Sequence, residues 1–188
     1  MTRFVVVRHG STGMNEQNLL IGHLDPPLSE IGKKQAERLG RALTQERFDL
    51  IVTSDLKRTQ ETAAIIRSYQ AKSVRTLISP ELREIDYGDH VGKEKETLRQ
   101  EEPRYHADPD YQHPGGESFL QLQERVNAVL KRLEGEYERV LVVTHAGALR
   151  ALYAAYRGEP FARHINLKVP HTTILRLEKT TKPIIETA

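Results

Sequence analysis

The stretch Phe4–Gly10, FVVVRHG, decides the fold. Its four leading apolar residues read as a strand buried on both faces, the habit of parallel sheets covered by helices. The strand runs without a spacer into an arginine, a histidine and a glycine. In α/β proteins the carboxyl ends of parallel strands open onto the crevice that binds ligands, so Arg8 and His9 are expected at the mouth of a pocket. A fixed cation beside an imidazole disfavours the protonated ring and leaves a lone pair for attack or coordination. Gly10 allows a sharp turn and a close approach of backbone to ligand. Taken alone, the tripeptide also reads as the solvated end of an ordinary strand.

Two further apolar runs end in the same manner. Asp49–Thr53, DLIVT, leads into Ser54–Tyr69, SDLKRTQETAAIIRSY, whose Leu56, Thr59, Ala63 and Ile66 mark one helical face. Lys57 and Arg58 fall at the start of that helix, where the positive end of the macrodipole makes a cation misplaced unless an anion visits. Arg139–Thr144, RVLVVT, stops at His145, followed by Ala146, Gly147 and a helix over Ala148–Tyr156. If the three strands are parallel neighbours, crossover connections bring all three carboxyl ends to one edge of an α/β sheet. Arg8, His9, Ser54, Arg58 and His145 then converge.

The rest of the chain supplies connections and cover. Ser11–Gly32 is a polar, Gly- and Pro-rich connection, and its attachment to the Arg8–His9 strand favours a functional loop. Ser29 offers an N-cap for a helix over Glu30–Gln45. Val74–Ile78 reads as a strand, Leu82–Gly92 as an acidic loop, and Thr97–Glu101 as one or two helical turns. Pro103–Gly116 is a breaker-rich connection, and a helical stripe runs from Glu117 to near Gly135. Thr172–Leu177 alternates like an edge strand, and the charged tail from Glu178 is expected to fray. Residues 85–116 are expected to form a lid over the pocket of a single domain, 1–188.

The totals narrow the function. The 188 residues suit one domain with a sizeable core. Lys and Arg number 28 against 26 Asp and Glu, a net charge of +2, so no nucleic-acid partner is implied. There is no Cys, hence no disulfide and no zinc–thiolate site, which suits a reducing compartment. No leader pattern is recognisable, and no run approaches the roughly 18 apolar residues of a membrane helix. A cytoplasmic location and no membrane partner are expected.

Two guanidinium forks and two imidazoles near helix N-termini match a tetrahedral dianion. Paired histidines also bind metals, but a zinc site wants a third histidine or a carboxylate, and the arginines would repel the ion. Phosphate is therefore preferred, with no metal and no cofactor. A neutral histidine between arginines is a nucleophile aimed at phosphorus, and a protonated His145 would add a donor. The leaving oxygen needs a proton, for which Glu84 and Asp86 are the candidates.

The motifs, taken together, resemble those of the histidine phosphatase superfamily, the phosphoglycerate mutase-like or RHG family. Arg8, His9 and Gly10 match its signature, with Thr12 and Asn15 in its opening motif. Gly22, Asp25, Pro27 and Leu28, then Gly32 and Ala36, match the next segment. Ser54, Asp55, Leu56, Arg58, Thr59 and Thr62 follow, then Glu84 with Gly88, Gly116–Ser118, and Thr144, His145 and Gly147. The resemblance implies a mixed, mostly parallel three-layer sheet with helices on both faces. It also implies His9 as the nucleophile that becomes phosphohistidine, Glu84 rather than Asp86 as proton donor, and no metal. Arg8, Arg58 and His145 would hold the phosphoryl group, assisted by Asn15. Gly10, Thr12, Gly22, His23, Ser54 and Ala146 are the further substrate-contacting positions.

The expected activity is hydrolysis of a small phosphorylated metabolite. Phosphoglycerate mutase-type transfer is the first alternative, and an inactive phosphate-binding protein the second. The family's glycolytic mutases carry a longer insertion after the acid, and the short segment between Glu84 and Gly115 favours hydrolysis. Lys93, Lys95, Arg99, Arg104 and His106 could contact a substrate group, but they alternate with acids as a solvated helix does. Read from their positions alone, in loops or at strand ends, His23, His90, His106, His113, His164 and His171 are expected to share no site. The chain departs from the family pattern at Asp89–Gly92, and a homodimer is compatible with the sequence.

Overall fold

The computed structural model describes residues 1–178 and 183–188. Six strands, β1 (Arg3–Arg8), β2 (Leu50–Thr53), β3 (Arg75–Ile78), β4 (Arg139–Thr144), β5 (Thr173–Leu177) and β6 (Ile184–Thr187), form one sheet in the order β3-β2-β4-β1-β5-β6. β3, β2, β4 and β1 are mutually parallel, and β5 and β6 add an antiparallel edge. The three apolar runs are thus the adjacent strands β2, β4 and β1. Arg8 pairs in register with Thr144, and Thr53 with Val143, so their carboxyl ends are level.

Alternation along these strands feeds two cores. Phe4, Val6, Val140, Val142, Leu50 and Val52 face α5 (Phe119–Leu133) and α6 (Ala146–Arg157). Val5, Val7, Leu141, Val143 and Ile51 face α2 (Glu30–Ala42) and α3 (Lys57–Ser68). The result is a three-layer mixed α/β fold with helices on both faces. Apolar side chains on both sides of a strand explain why the runs carry no polar alternation.

Several boundaries differ from the sequence reading. The opening connection contains a short helix, α1 (Gly13–Glu16), closed by a capping box between Thr12 and Asn15. α2 stops at Ala42 rather than Gln45, and α3 begins at Lys57 because Ser54 and Leu56 still have extended or capping roles. α6 begins at Ala146, so Ala146 and Gly147 belong to its first turn. The segment after Glu84 folds into 3-10 turns and α4 (Lys95–Glu101).

The expected edge strand β5 lies inside the sheet, because β6 pairs with it. The expected fraying therefore does not extend to Ile184–Thr187, and its remainder falls on residues 179–182, outside the described residues. Among the described residues no helix is long and apolar enough to cross a membrane.

Candidate active site

β1 ends at Arg8, and the backbone N–H of the next residue, His9, still donates to the Thr144 carbonyl, 2.9 Å away, as though the strand ran one residue further. The ring is almost wholly buried, with 3 % exposure. Its Nδ1 lies 2.7 Å from the Gly10 carbonyl, which can only accept, so Nδ1 carries the proton and Nε2 keeps its lone pair. Burial, then the charges of Arg58 and Arg8, hold His9 well below the ordinary imidazole range. Gly10 is needed for packing rather than for ligand approach. A Cβ there would stand 2.2 Å from the carbonyl oxygen of Gly32, where α2 crosses the turn.

Arg8, His9, Asn15, Gly22, Arg58, Glu84 and Ala146 line one cavity. Arg8 extends from the end of β1 and donates to the Val169 carbonyl at 2.5 Å. Arg58, 1 % exposed, donates to the carbonyls of Leu24 at 2.6 Å and Gly22 at 2.8 Å. Neither guanidinium forms an ion pair with a carboxylate among the described residues, and the buried Nε of each has no partner. Burial brings both down to about 10, which leaves them cationic at neutral pH. An unpaired buried donor is costly, so this arrangement favours an anion.

His145 lies beside the nucleophile rather than on the cavity wall, its ring centroid 5.0 Å from that of His9. Its Nε2 is 2.9 Å from Ser54 Oγ, while its buried Nδ1 has no partner. Burial, then Arg58 and His9, hold it well below the imidazole range. That direction favours a neutral ring over the protonated His145 expected from the sequence. When the Ser54 hydroxyl donates to Nε2, Nδ1 carries a hydrogen and remains a donor.

Glu84 comes from the loop after the 3-10 turn Pro80–Leu82. Its carboxylate accepts from the Gly147 N–H, at 3.0 and 3.2 Å, in the first turn of α6. Behind it, Arg125 of α5 donates to the carbonyls of Glu81, Arg83 and Glu84 at 2.7–2.8 Å and pairs with the Glu117 carboxylate. Arg125 was no candidate in the sequence, since it is one charge among many on an amphipathic helix.

Ser54, Thr12, Gly10 and His23 do not line the cavity. Ser54 supports His145, and Thr12 caps α1 while its N–H and hydroxyl bond to Asn15 Oδ1 at 3.1 and 3.0 Å. His23 Nε2 lies 2.9 Å from the Glu84 carbonyl.

Four of the remaining five histidines depart from the expectation of no shared site, whereas His164 pairs with Glu159 away from the cavity. His171 Nδ1 is 2.7 Å from the His9 carbonyl. His106 lies on the cavity wall. His90 and His113 are both buried, with their Nδ1 atoms 3.0 Å apart, away from the cavity.

The same cavity wall also carries Lys95, Arg99, Arg150, Tyr105 and Asn166. Arg150 is anchored through Nε to the Leu167 carbonyl at 2.8 Å. Lys95 is lowered by burial and then by the nearby Arg8 charge. Glu84 is the only acid facing five cations on this wall, among the described residues. Lys95 and Arg99, which read as a solvated helix face, therefore reach the cavity.

Residues 4–184 match the model of the histidine phosphatase superfamily (branch 1). The chain belongs to the histidine phosphatase superfamily. It is 35% identical over 165 residues to an adenosylcobalamin/alpha-ribazole phosphatase of Escherichia coli (strain K12), covering 84% of this chain and 80% of that one. It is 32% identical over 203 residues to a probable phosphoglycerate mutase of Cronobacter sakazakii, covering 100% of this chain and 93% of the relative. A mycobacterial glucosyl-3-phosphoglycerate phosphatase, solved with VO3, superposes with a TM-score of 0.86 at 26% identity. That match covers 100% of this chain and 99% of the other.

Proposed function

We propose that this protein hydrolyses phosphomonoesters through a phosphohistidine on His9. The observation that carries the reading is the placement of a free His9 Nε2 lone pair beside two buried guanidiniums that have no carboxylate partner. A phosphoryl dianion seated there accepts from Arg8 and Arg58 on the cavity wall, and the unpartnered Nδ1–H of His145, behind the wall beside His9, is the candidate third donor.

In the first step His9 Nε2 forms a bond to phosphorus as the ester P–O bond breaks. The leaving oxygen takes the proton of the Glu84 carboxyl group. In the second step the Glu84 carboxylate takes a proton from water, and the resulting oxygen bonds to phosphorus. The P–N bond then breaks, and inorganic phosphate and free His9 are released. No step calls for a metal.

The surplus of cations beyond Glu84 supports a substrate that carries a further anionic group, such as a carboxylate or second phosphate. Arg150, Lys95 and Arg99, which line the cavity, are the groups that would contact it. Mutase-type transfer shares the first step, and the similarity to a probable phosphoglycerate mutase keeps it as the second reading.

Incubation with p-nitrophenyl phosphate and with 3-phosphoglycerate between pH 5 and 8 tests the proposal. Release of inorganic phosphate, lost in His9→Ala with phosphate binding partly retained, is the expected result. Isomerised ester without phosphate release would establish the mutase reading, and no turnover by the folded protein would establish a binder.

A further inference from the structure

The nucleophile does not stand alone between guanidiniums. Two other imidazoles lie against its ring, His145 at 5.0 Å and 62° and His171 at 5.4 Å and 61°. Both neighbours meet it edge-on, a favoured geometry for aromatic rings. His171 alone also bonds to the nucleophile's backbone, with Nδ1 2.7 Å from the His9 carbonyl. A carbonyl only accepts, so His171 holds its hydrogen on Nδ1. Burial, followed by the Arg8 charge, keeps this ring down to about 3, so it stays neutral across the working range.

The topology explains how His171 arrives there. β5 runs antiparallel to β1, with Ile174 opposite Val7, so the residues entering β5 lie beside those leaving β1. The entering segment Val169–His171 grips that end at two points. The Val169 carbonyl accepts from Arg8 and the His171 ring donates to His9. Pro170 between them has a fixed φ and no N–H, which stiffens the grip.

We infer that His171 is a positioning residue for the nucleophile: its hydrogen bond and edge contact hold the turn at His9 so that Nε2 faces the phosphoryl group. This rests on the phosphatase reading above. His171 does not line the cavity, and its action is through His9. Orientation of a reacting atom contributes strongly to rate, so loosening the turn should lower kcat while leaving substrate affinity largely intact.

The test compares His171→Phe, which keeps a ring and removes the donor, with His171→Asn, whose side-chain amide can still donate to the His9 carbonyl. With p-nitrophenyl phosphate, His171→Phe should lose about tenfold in kcat with KM within about twofold, as expected for lost orientation. His171→Asn should stay within about threefold of the parent in kcat. A kcat for His171→Phe within twofold of the parent would overturn the inference, as would equal losses in the two variants.

Imidazole nitrogen NMR of His9 supplies a readout that needs no turnover. The proton on Nδ1 and the bare Nε2 should be well defined in the parent and in His171→Asn, and averaged in His171→Phe. Unchanged His9 signals in His171→Phe would overturn the inference. If the parent protein shows no phosphatase activity, that reading fails while the NMR comparison still decides the positioning role.

Discussion

Ser54 Oγ lies 2.9 Å from His145 Nε2, and both side chains are wholly buried. The contact joins the residue that follows β2 to the residue that follows β4, and it biases the hydrogen on His145 towards Nδ1 when the serine donates. Ser54→Ala removes the partner of a buried ring nitrogen, a loss of about 1–3 kcal/mol. Denaturant unfolding should show that loss of stability, and kcat on an aryl phosphate should fall about tenfold as the Nδ1 donor becomes ill-defined. Unchanged kcat would remove His145 Nδ1 from the list of phosphoryl donors.

Glu84→Gln keeps an oxygen that can accept from the Gly147 N–H but removes the transferable proton. Alkyl phosphates, whose leaving oxygens need that proton, should lose about 10²–10⁴-fold in kcat. p-Nitrophenyl phosphate should lose far less in the first step. Equal losses on both ester types, measured by phosphate release, would assign the proton to another group.

Gly147→Ala probes the same contact from the other side. A Cβ at that position would stand 2.3 Å from Glu84 Oε1 and 3.1 Å from Leu122 Cδ2. The carboxylate is the flexible end of its side chain, so it should swing away and the helix should survive. Activity should then fall at least about tenfold, with the thermal midpoint lowered by only a few degrees. A thermal midpoint lowered without loss of activity would place the proton donor elsewhere.

Acid should destabilise the fold through its buried histidines. His9 and His145 are held well below 6.5 by burial and neighbouring cations, and His113 is held at about 4 by burial and then His90. Below 6.5 the unfolded chain takes up protons that these rings refuse in the folded state. The unfolded state then binds more protons, and stability falls as pH falls. Each such ring contributes a loss of roughly 1.4 kcal/mol per pH unit between 6.5 and its folded value. Denaturant midpoints measured at pH 7 and pH 5 should therefore differ clearly. His113→Phe, away from the cavity, should reduce that difference. A pH-independent midpoint would mean that these rings titrate normally in the folded protein.

How much of this was legible beforehand differs between the sheet and the site. FVVV, LIV and VLVV announced their strands because residues packed on both faces must be apolar at every position, and parallel neighbours oblige their carboxyl ends to share an edge. That brought Arg8, Arg58 and the region of His145 together from the chain alone. The tail does not read as a strand because β6 is short, with charged residues before it and a glutamate within it. Its strand character comes from backbone pairing with β5 rather than from its side chains. Lys95 read as part of a solvated helix because its neighbours alternate in charge. Only the packing of α4 against the opening loop turns it towards the cavity, with Leu20 and Leu98 in one small core.

The sequence by itself determined the α/β class, the order of the three central strands' chemistry and the reactive groups at their ends. Local periodicity and strand-end position carry that information. The tertiary structure alone decided which nitrogen of His9 is free, that His145 is neutral, that Arg125 anchors the acid loop and that His171 touches the nucleophile. Those outcomes depend on partners as far apart as residues 9 and 171, and on how completely water is excluded between them. Burial and hydrogen-bond partnership are properties of the packed molecule, and no residue pattern along the chain encodes them locally.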